Sequence, residues 1–324
     1  MLLTRVKRRV DRYVRTVNQW RGVMDPAEVF RRGNEAERNA FFELGKRKNQ
    51  EGYRARVALM EQLQAGQHQL GEADPNAGLR LPEIPRDRGV MLARPEGFPL
   101  LDEALAEARG YFQGYVPGTN KKEYDSLQGV PRSNLTPTSA INRLASHPEV
   151  LRVVSNYMGM VPILHRITVL YSPNDEEVEK SSQYYHLDPE DVIMTKIFLF
   201  VEDVDRDTGP TTALPADRST IVQRQIDYRN SRVPDEVIFE QGGRENLVEC
   251  VGPAGTMAFL DTCRCFHLGS RVASKPRYTV MIQYQTPYAA LASPDGPLPT
   301  PPITHLAIPP NPTPLEEYLF ALKR

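Results

Sequence analysis

From residue 161 onward the chain loses helical periodicity. It becomes a series of short runs rich in Val, Ile, Phe, Thr and Tyr, at 163–171, 183–187, 192–201, 210–214, 247–251, 255–261 and 277–285, with turn clusters between them. Several strands at that spacing, with no helical pattern intervening, point to an antiparallel sandwich or barrel. Residues 215–245 interrupt the series with a long polar insertion, which in such folds often sits over a mouth.

Upstream the texture is helical. Leu3, Val6, Val10, Tyr13, Val14, Val17 and Trp20 recur at three- and four-residue spacing, so residues 2–21 read as an amphipathic helix with arginines on its opposite face. Asp25-Pro26 reads as an N-cap followed by a first helical position, and 26–64 as helix-rich with interruptions near Gly33, Gly45 and Gly52. Residues 65–100 read as loop or linker, with Gly89 to Ala93 as a short strand. Helices are expected at 101–113 and 138–158, the second broken at His147-Pro148. Ten of the 28 prolines lie beyond Gln285, so the end of the chain should run extended until a short helix from Leu315. The expected organisation is a basic helical extension (1–64), a linker (65–100), a β domain with leading helices (101–287) and a Pro-rich tail (288–324). No internal repeat is found.

Composition sharpens this. The 324 residues carry 40 basic and 41 acidic side chains, a net charge of −1. Residues 1–60 hold 15 basic against 7 acidic side chains, +8, which leaves −9 on the rest. The body therefore has no cationic surplus of the nucleic-acid-binding kind, and no nucleic-acid partner is expected. The basic helix is expected to pack on the body, on a second subunit or on a membrane surface. No apolar run is long enough for a transmembrane segment. Three cysteines (Cys250, Cys263, Cys265) and the lack of a secretory-type apolar core point to a reducing, cytoplasmic location.

Six histidines are present, at 68, 147, 165, 186, 267 and 305. His186 and Asp188 stand out, because residues two apart on an extended chain point to the same face. His267 closes another strand-like run. Two His and one Asp on one face of an octahedron leave three positions open, which suits non-haem Fe(II). Arg277 opens an alternating strand with Arg, Thr, Met, Gln and Gln on one face and Tyr, Val, Ile and Tyr on the other. A polar inward face headed by an Arg makes sense in a barrel that holds a dicarboxylate, the natural bidentate partner of a guanidinium. Arg271 is a rival, but it precedes the strand and is expected to face solvent.

These segments resemble the phytanoyl-CoA dioxygenase-like branch of the Fe(II)/2-oxoglutarate-dependent dioxygenases. The resemblance covers about 139–287 and is carried by "SHPEVLRVVSNYMG", "YHLDPED", "KIFLFVEDVDRDTGPTTALPADRS" and "GTMAFLDTCRCFHLGSRVASKPRYTV". It implies an α+β fold with a double-stranded β-helix (jelly-roll, cupin-like) core. It implies Fe(II) on His186, Asp188 and His267, and Arg277 on the far carboxylate of 2-oxoglutarate. Thr211 matches a position that contacts the co-substrate in some relatives. The implied reaction uses O₂ to hydroxylate a small organic or acyl substrate, with release of succinate and CO₂. A small residue at 188 would open a halide site, so Asp188 favours hydroxylation or a related oxidation over halogenation. Where the family usually has Ser two positions after the distal His, this chain has Gly269, with Ser270 next.

Two other readings stand beside this one: a cupin-type metalloenzyme that uses the triad without 2-oxoglutarate, and a non-catalytic barrel serving as a binding or scaffold protein. Cys263 and Cys265 share strand parity with His267, but no second ligand pair accompanies them, so they read as core thiols. The acidic run 202–207 reads as a solvated turn. His165 fits either an ordinary strand position or the pocket wall. No segment reads as a CoA-binding motif.

Overall fold

A computed structural model of the chain describes residues 29–30, 33–67, 78–113, 115–116, 128–129, 136–174, 181–271, 273–288 and 308–323. The helix expected at 2–21, the Asp25-Pro26 cap and the proline-rich stretch 289–307 lie outside these residues.

The first described helices show local signals deciding boundaries. Helix α1 (Glu35–Lys48) opens with a capping box. Asn34 Oδ1 accepts from Glu37 N–H (3.0 Å), and the Glu37 carboxylate accepts from Asn34 N–H (2.9 Å). Helix α2 (Gln50–Gln64) follows after Asn49 alone, whose side chain accepts from Gly52 N–H at 3.2 Å. The break expected at Gly45 and Gly52 therefore falls at Asn49, and both glycines lie inside helices. Gly45 has a packing reason: a Cβ there would stand 3.2 Å from Cβ of Tyr288. Strand β1 (Val90–Ala93), helix α3 (Pro99–Phe112), strand β2 (Gln128–Gly129) and helices α4 (Ala140–Ser146) and α5 (Pro148–Met158) come next. His147 separates the last two as expected, its imidazole accepting from Glu149 N–H at 3.2 Å with Pro148 in the first helical position.

Then come β3 (Ile163–Ser172), β4 (Thr195–Phe200), β5 (Thr212–Ala213), β6 (Val248–Glu249), β7 (Met257–Leu260), β8 (His267–Leu268) and β9 (Arg277–Gln285). The insertion between β5 and β6 holds helices α6 (Ala216–Gln225) and α7 (Asp235–Ile238), and α8 (Pro314–Leu319) ends the described chain. All pairings are antiparallel. The larger sheet runs β1-β7-β4-β9-β3-β2 and the smaller β6-β5-β8, with His186 bridging His267 on the free side of β8. The chain visits the larger sheet in β3, crosses at His186, and returns in β4. It crosses again for β5 and β6, returns in β7, crosses for β8, and returns in β9. That alternation is the double-stranded β-helix, and with the flanking helices the fold class is α+β.

The main core lies between the outer face of the larger sheet and the helices. Val280, Ile282 and Tyr284 of β9 and Ile167 and Val169 of β3 are buried there against residues of α2, α3, α4 and α5. Each fully buried aliphatic side chain contributes about 1.5–3 kcal/mol by leaving water.

The short strand expected at Gly89 to Ala93 is present: Val90–Ala93 pairs with Met257–Leu260 as the edge of the larger sheet. Within 1–64, helix α2 packs on the body through Leu59 and Leu63. Arg56 on α2 is fully buried and donates to the carbonyls of Val161 (2.9 Å) and Lys323 (3.1 Å). Leu315, Leu319 and Phe320 at the far end join the same core. No helix among the described residues is long and apolar enough to cross a membrane.

Candidate functional site

The crossings between sheets bring the singled-out residues together. His186 and His267 form a mutual backbone pair, with N–H to carbonyl distances of 3.1 and 3.0 Å. Asp188, two residues on, donates its N–H to Thr262 O at 2.8 Å, which holds the turn after His186 against the approach to β8. The potential ligand atoms of His186, Asp188 and His267 all lie within 4.8 Å of one another, the one such group among the described residues. His186 Nε2 is 3.7 Å from Asp188 Oδ1, and His267 Nε2 is 3.8 Å from Asp188 Oδ2.

The tautomers follow from the partners. His186 Nδ1 lies 2.9 Å from Tyr184 O, and His267 Nδ1 lies 3.1 Å from Cys265 O. A carbonyl can only accept, so each Nδ1 carries the proton and each Nε2 presents a lone pair to the carboxylate side. Burial lowers both imidazoles, His186 to about 3, so they are neutral. Burial opposes ionisation of Asp188, but the Lys196 ammonium outweighs it and holds the carboxyl below its usual range. Two neutral imidazoles and one carboxylate are the protonation states a divalent cation requires. With each ring anchored through its other nitrogen, the three residues fit a non-haem Fe(II) centre.

Lys196 was missed in the sequence. Its Nζ lies 2.7 Å from Asp188 Oδ2, with both side chains nearly buried. The signal was there in "KIFLF", a lysine inside an apolar strand. Removing one partner of such a buried pair costs about 3–5 kcal/mol.

The triad opens into a cavity of about 390 Å³ between the two sheets, whose wall also holds Arg277 and Thr211. The Arg277 guanidinium is buried, and no acidic side chain among the described residues pairs with it. It donates to Gly209 O (2.7 Å), Thr211 Oγ1 (3.3 Å) and Ser270 Oγ (2.8 Å), while its Nε–H has no partner. Burial lowers its pKa to about 10, still charged at neutral pH. A buried cation held only by neutral acceptors, beside a cavity, is arranged to receive an anion. Gly209 offers its carbonyl from a left-handed backbone (φ 59°), where a Cβ would collide with Arg271 O at 2.6 Å. Ser270 supplies the hydroxyl that Gly269 lacks, one position later and also left-handed at φ 59°. A Cβ at 269 would stand 3.4 Å from the guanidinium.

The remaining candidates separate. Arg271 does not simply face solvent: it makes a bidentate pair with Asp235 at 2.7 and 2.6 Å and is spent on holding the insertion. The three cysteines are buried and unpaired, their thiols pushed up by burial, and none joins the triad. Within the acidic run, Asp205 caps its own turn, and Lys275 lies 3.5 Å from both Asp205 and Asp207, so the run is a turn. His165 is buried in β3 with Nδ1 unpartnered, and burial with the nearby Arg166 and Lys196 lowers it to about 4. Arg166 and Arg232 also line the cavity, which the sequence did not indicate.

No known family profile and no curated protein matches the chain. Among solved structures it is similar to the epimerase SnoN in complex with Fe3+, alpha ketoglutarate and nogalamycin RO (19% identity, 71% of this chain and 84% of that one, TM-score 0.43). It is also similar to EctD from S. alaskensis with 2-oxoglutarate and 5-hydroxyectoine (16%, 76% and 92%, TM-score 0.46). A third is the non-heme alpha ketoglutarate dependent carbocyclase SnoK from nogalamycin biosynthesis (13%, 67% and 88%, TM-score 0.44).

Proposed function

We propose that the protein is an Fe(II)- and 2-oxoglutarate-dependent oxygenase that hydroxylates a small organic or acyl substrate in the cytoplasm. One observation carries the reading: a two-His, one-Asp donor set shares its cavity with a buried guanidinium that no carboxylate neutralises. When bound, Fe(II) and 2-oxoglutarate supply the oxidising chemistry, O₂ converting the co-substrate to succinate and CO₂ while oxygen enters a substrate C–H bond.

The chain's own residues do the rest. His186, Asp188 and His267 would hold the metal at the cavity wall. Lys196 donates to Asp188 Oδ2 and keeps that carboxylate ionised and oriented. Arg277, oriented by Gly209 and Ser270, receives the far carboxylate, and Thr211 supplies a hydroxyl beside it.

Under anaerobic conditions Fe(II) plus 2-oxoglutarate should give a weak visible charge-transfer band. Arg277→Ala should weaken 2-oxoglutarate binding by about 2–5 kcal/mol, read from titration of that band. No band with intact protein would sink the oxygenase reading and leave the 2-oxoglutarate-free metalloenzyme or the scaffold. A band with unchanged 2-oxoglutarate affinity in Arg277→Ala would make that arginine structural.

A further inference from the structure

The cavity wall carries more positive charge than this reading uses. Arg166, Lys196, Arg232 and Arg277 line it against a single lining carboxylate, Asp188. Fe(II) and 2-oxoglutarate are a dication and a dianion and cancel each other. Loading therefore does not use up these cations, and the one further carboxylate beside them is Glu190, which stands close to Asp188, Lys196 and Arg166.

The cations are not gathered at one place. Strand register puts Arg277 opposite Ser172 at one end of the larger sheet. At the other end, Arg166 and Lys196 flank Gln283 in one cross-strand row. Six residues of β9 separate the two ends, about 20 Å along an extended strand. Between the poles the wall is apolar and uncharged: Thr168, Met281 and Phe198 form one row, with Leu170 and Thr279 in the next. Lys196 is committed to Asp188. Arg166 is exposed and makes no ion pair with any acidic side chain among the described residues. Arg232 joins from the insertion, between α6 and α7.

We infer that Arg166, supported by Arg232, forms a substrate-anion subsite, so that the substrate is a small molecule with an oxyanion group (carboxylate or phosphate) on an apolar skeleton. The inference rests on the oxygenase reading for the identity of the co-substrate. The oxyanion lies at the Arg166 end, and the skeleton lies along the Phe198–Met281 row toward the triad.

The test is calorimetric titration of inorganic phosphate, and separately of propionate, into the full chain loaded anaerobically with Fe(II) and 2-oxoglutarate. Saturable binding of at least one probe is expected, which one telling phosphate from carboxylate. Binding should weaken about tenfold or more in Arg166→Ala, recover in large part in Arg166→Lys, and leave 2-oxoglutarate affinity unchanged in both. No saturable binding of either probe overturns the subsite, as does binding that Arg166→Ala leaves intact or that 2-oxoglutarate displaces one for one. Loss of the charge-transfer band, with Arg166-dependent anion binding kept, would remove the oxygenase reading and leave the anion site standing.

Discussion

Strand β9 has two faces that do different work. Val280, Ile282 and Tyr284 point outward and are wholly buried under helices, Tyr284 donating its hydroxyl to Ala145 O at 2.6 Å. Arg277, Thr279 and Met281 point inward and line the cavity. The outward face is close-packed and apolar, where lost volume is felt as lost stability. The inward face carries groups whose burial is costly unless something binds to them. One strand thus separates what keeps the protein folded from what it does, with a period of two residues. Substitutions one position apart should therefore differ in kind.

The strongest expected effect is on the cavity side. His267→Ala should abolish high-affinity Fe(II) binding and reduce 2-oxoglutarate turnover to background, measured by metal titration and succinate release. Because that imidazole is buried at a cost, its loss should change unfolding free energy less than any core truncation. A large drop in stability from this variant would break the division between faces. On the other side, Ile282→Ala should lower unfolding free energy by about 2–5 kcal/mol in urea denaturation. The folded fraction should bind 2-oxoglutarate as before, and a weakened co-substrate would mean that the helix-packed face also sets the site.

The smallest effect concerns His165, which belongs cleanly to neither face. It sits where the β3–β9 register slips between Leu164 and Arg166. Its folded value of about 4 lies below the ordinary 6.5. Between those limits the unfolded chain takes up a proton that the folded chain refuses. Stability should therefore fall as pH drops from 6.5 toward 4, by up to about 1.4 kcal/mol per pH unit from this residue. His165→Asn should flatten that slope relative to the parent, read as urea midpoints at pH 7 and pH 5. Equal slopes would show that His165 is solvated when folded.

Much of this was legible in residue order, for identifiable reasons. The larger-sheet strands were readable because alternation in β9 and the Val/Ile/Phe runs of β3 and β4 are local patterns. The donor set was readable because His186 and Asp188 share parity on one extended segment. The insertion read only as polar, since α6, ADRSTIVQRQ, carries too few apolar residues to show a stripe. Strand β8 spans only His267 and Leu268 and owes its existence to neighbours on either side. Lys196 stood out only as a lysine in an apolar strand, and Arg166 and Arg232 not at all, because their meaning depends on which residues stand opposite across a strand or a crossing. Ser270 was a case of register: the hydroxyl sought at 269 arrives at 270 through a left-handed backbone.

Arg56 ties the fold to its own timetable of synthesis. Its guanidinium, lowered by burial to about 10, depends on carbonyls at Val161 and at Lys323 and lies over the Tyr318 ring. Every strand among the described residues is translated once Gln285 is made, while Leu315, Leu319 and Phe320 of the helical layer, and one acceptor of Arg56, come later. The helical layer is thus completed last, by residues translated almost forty positions after the final strand.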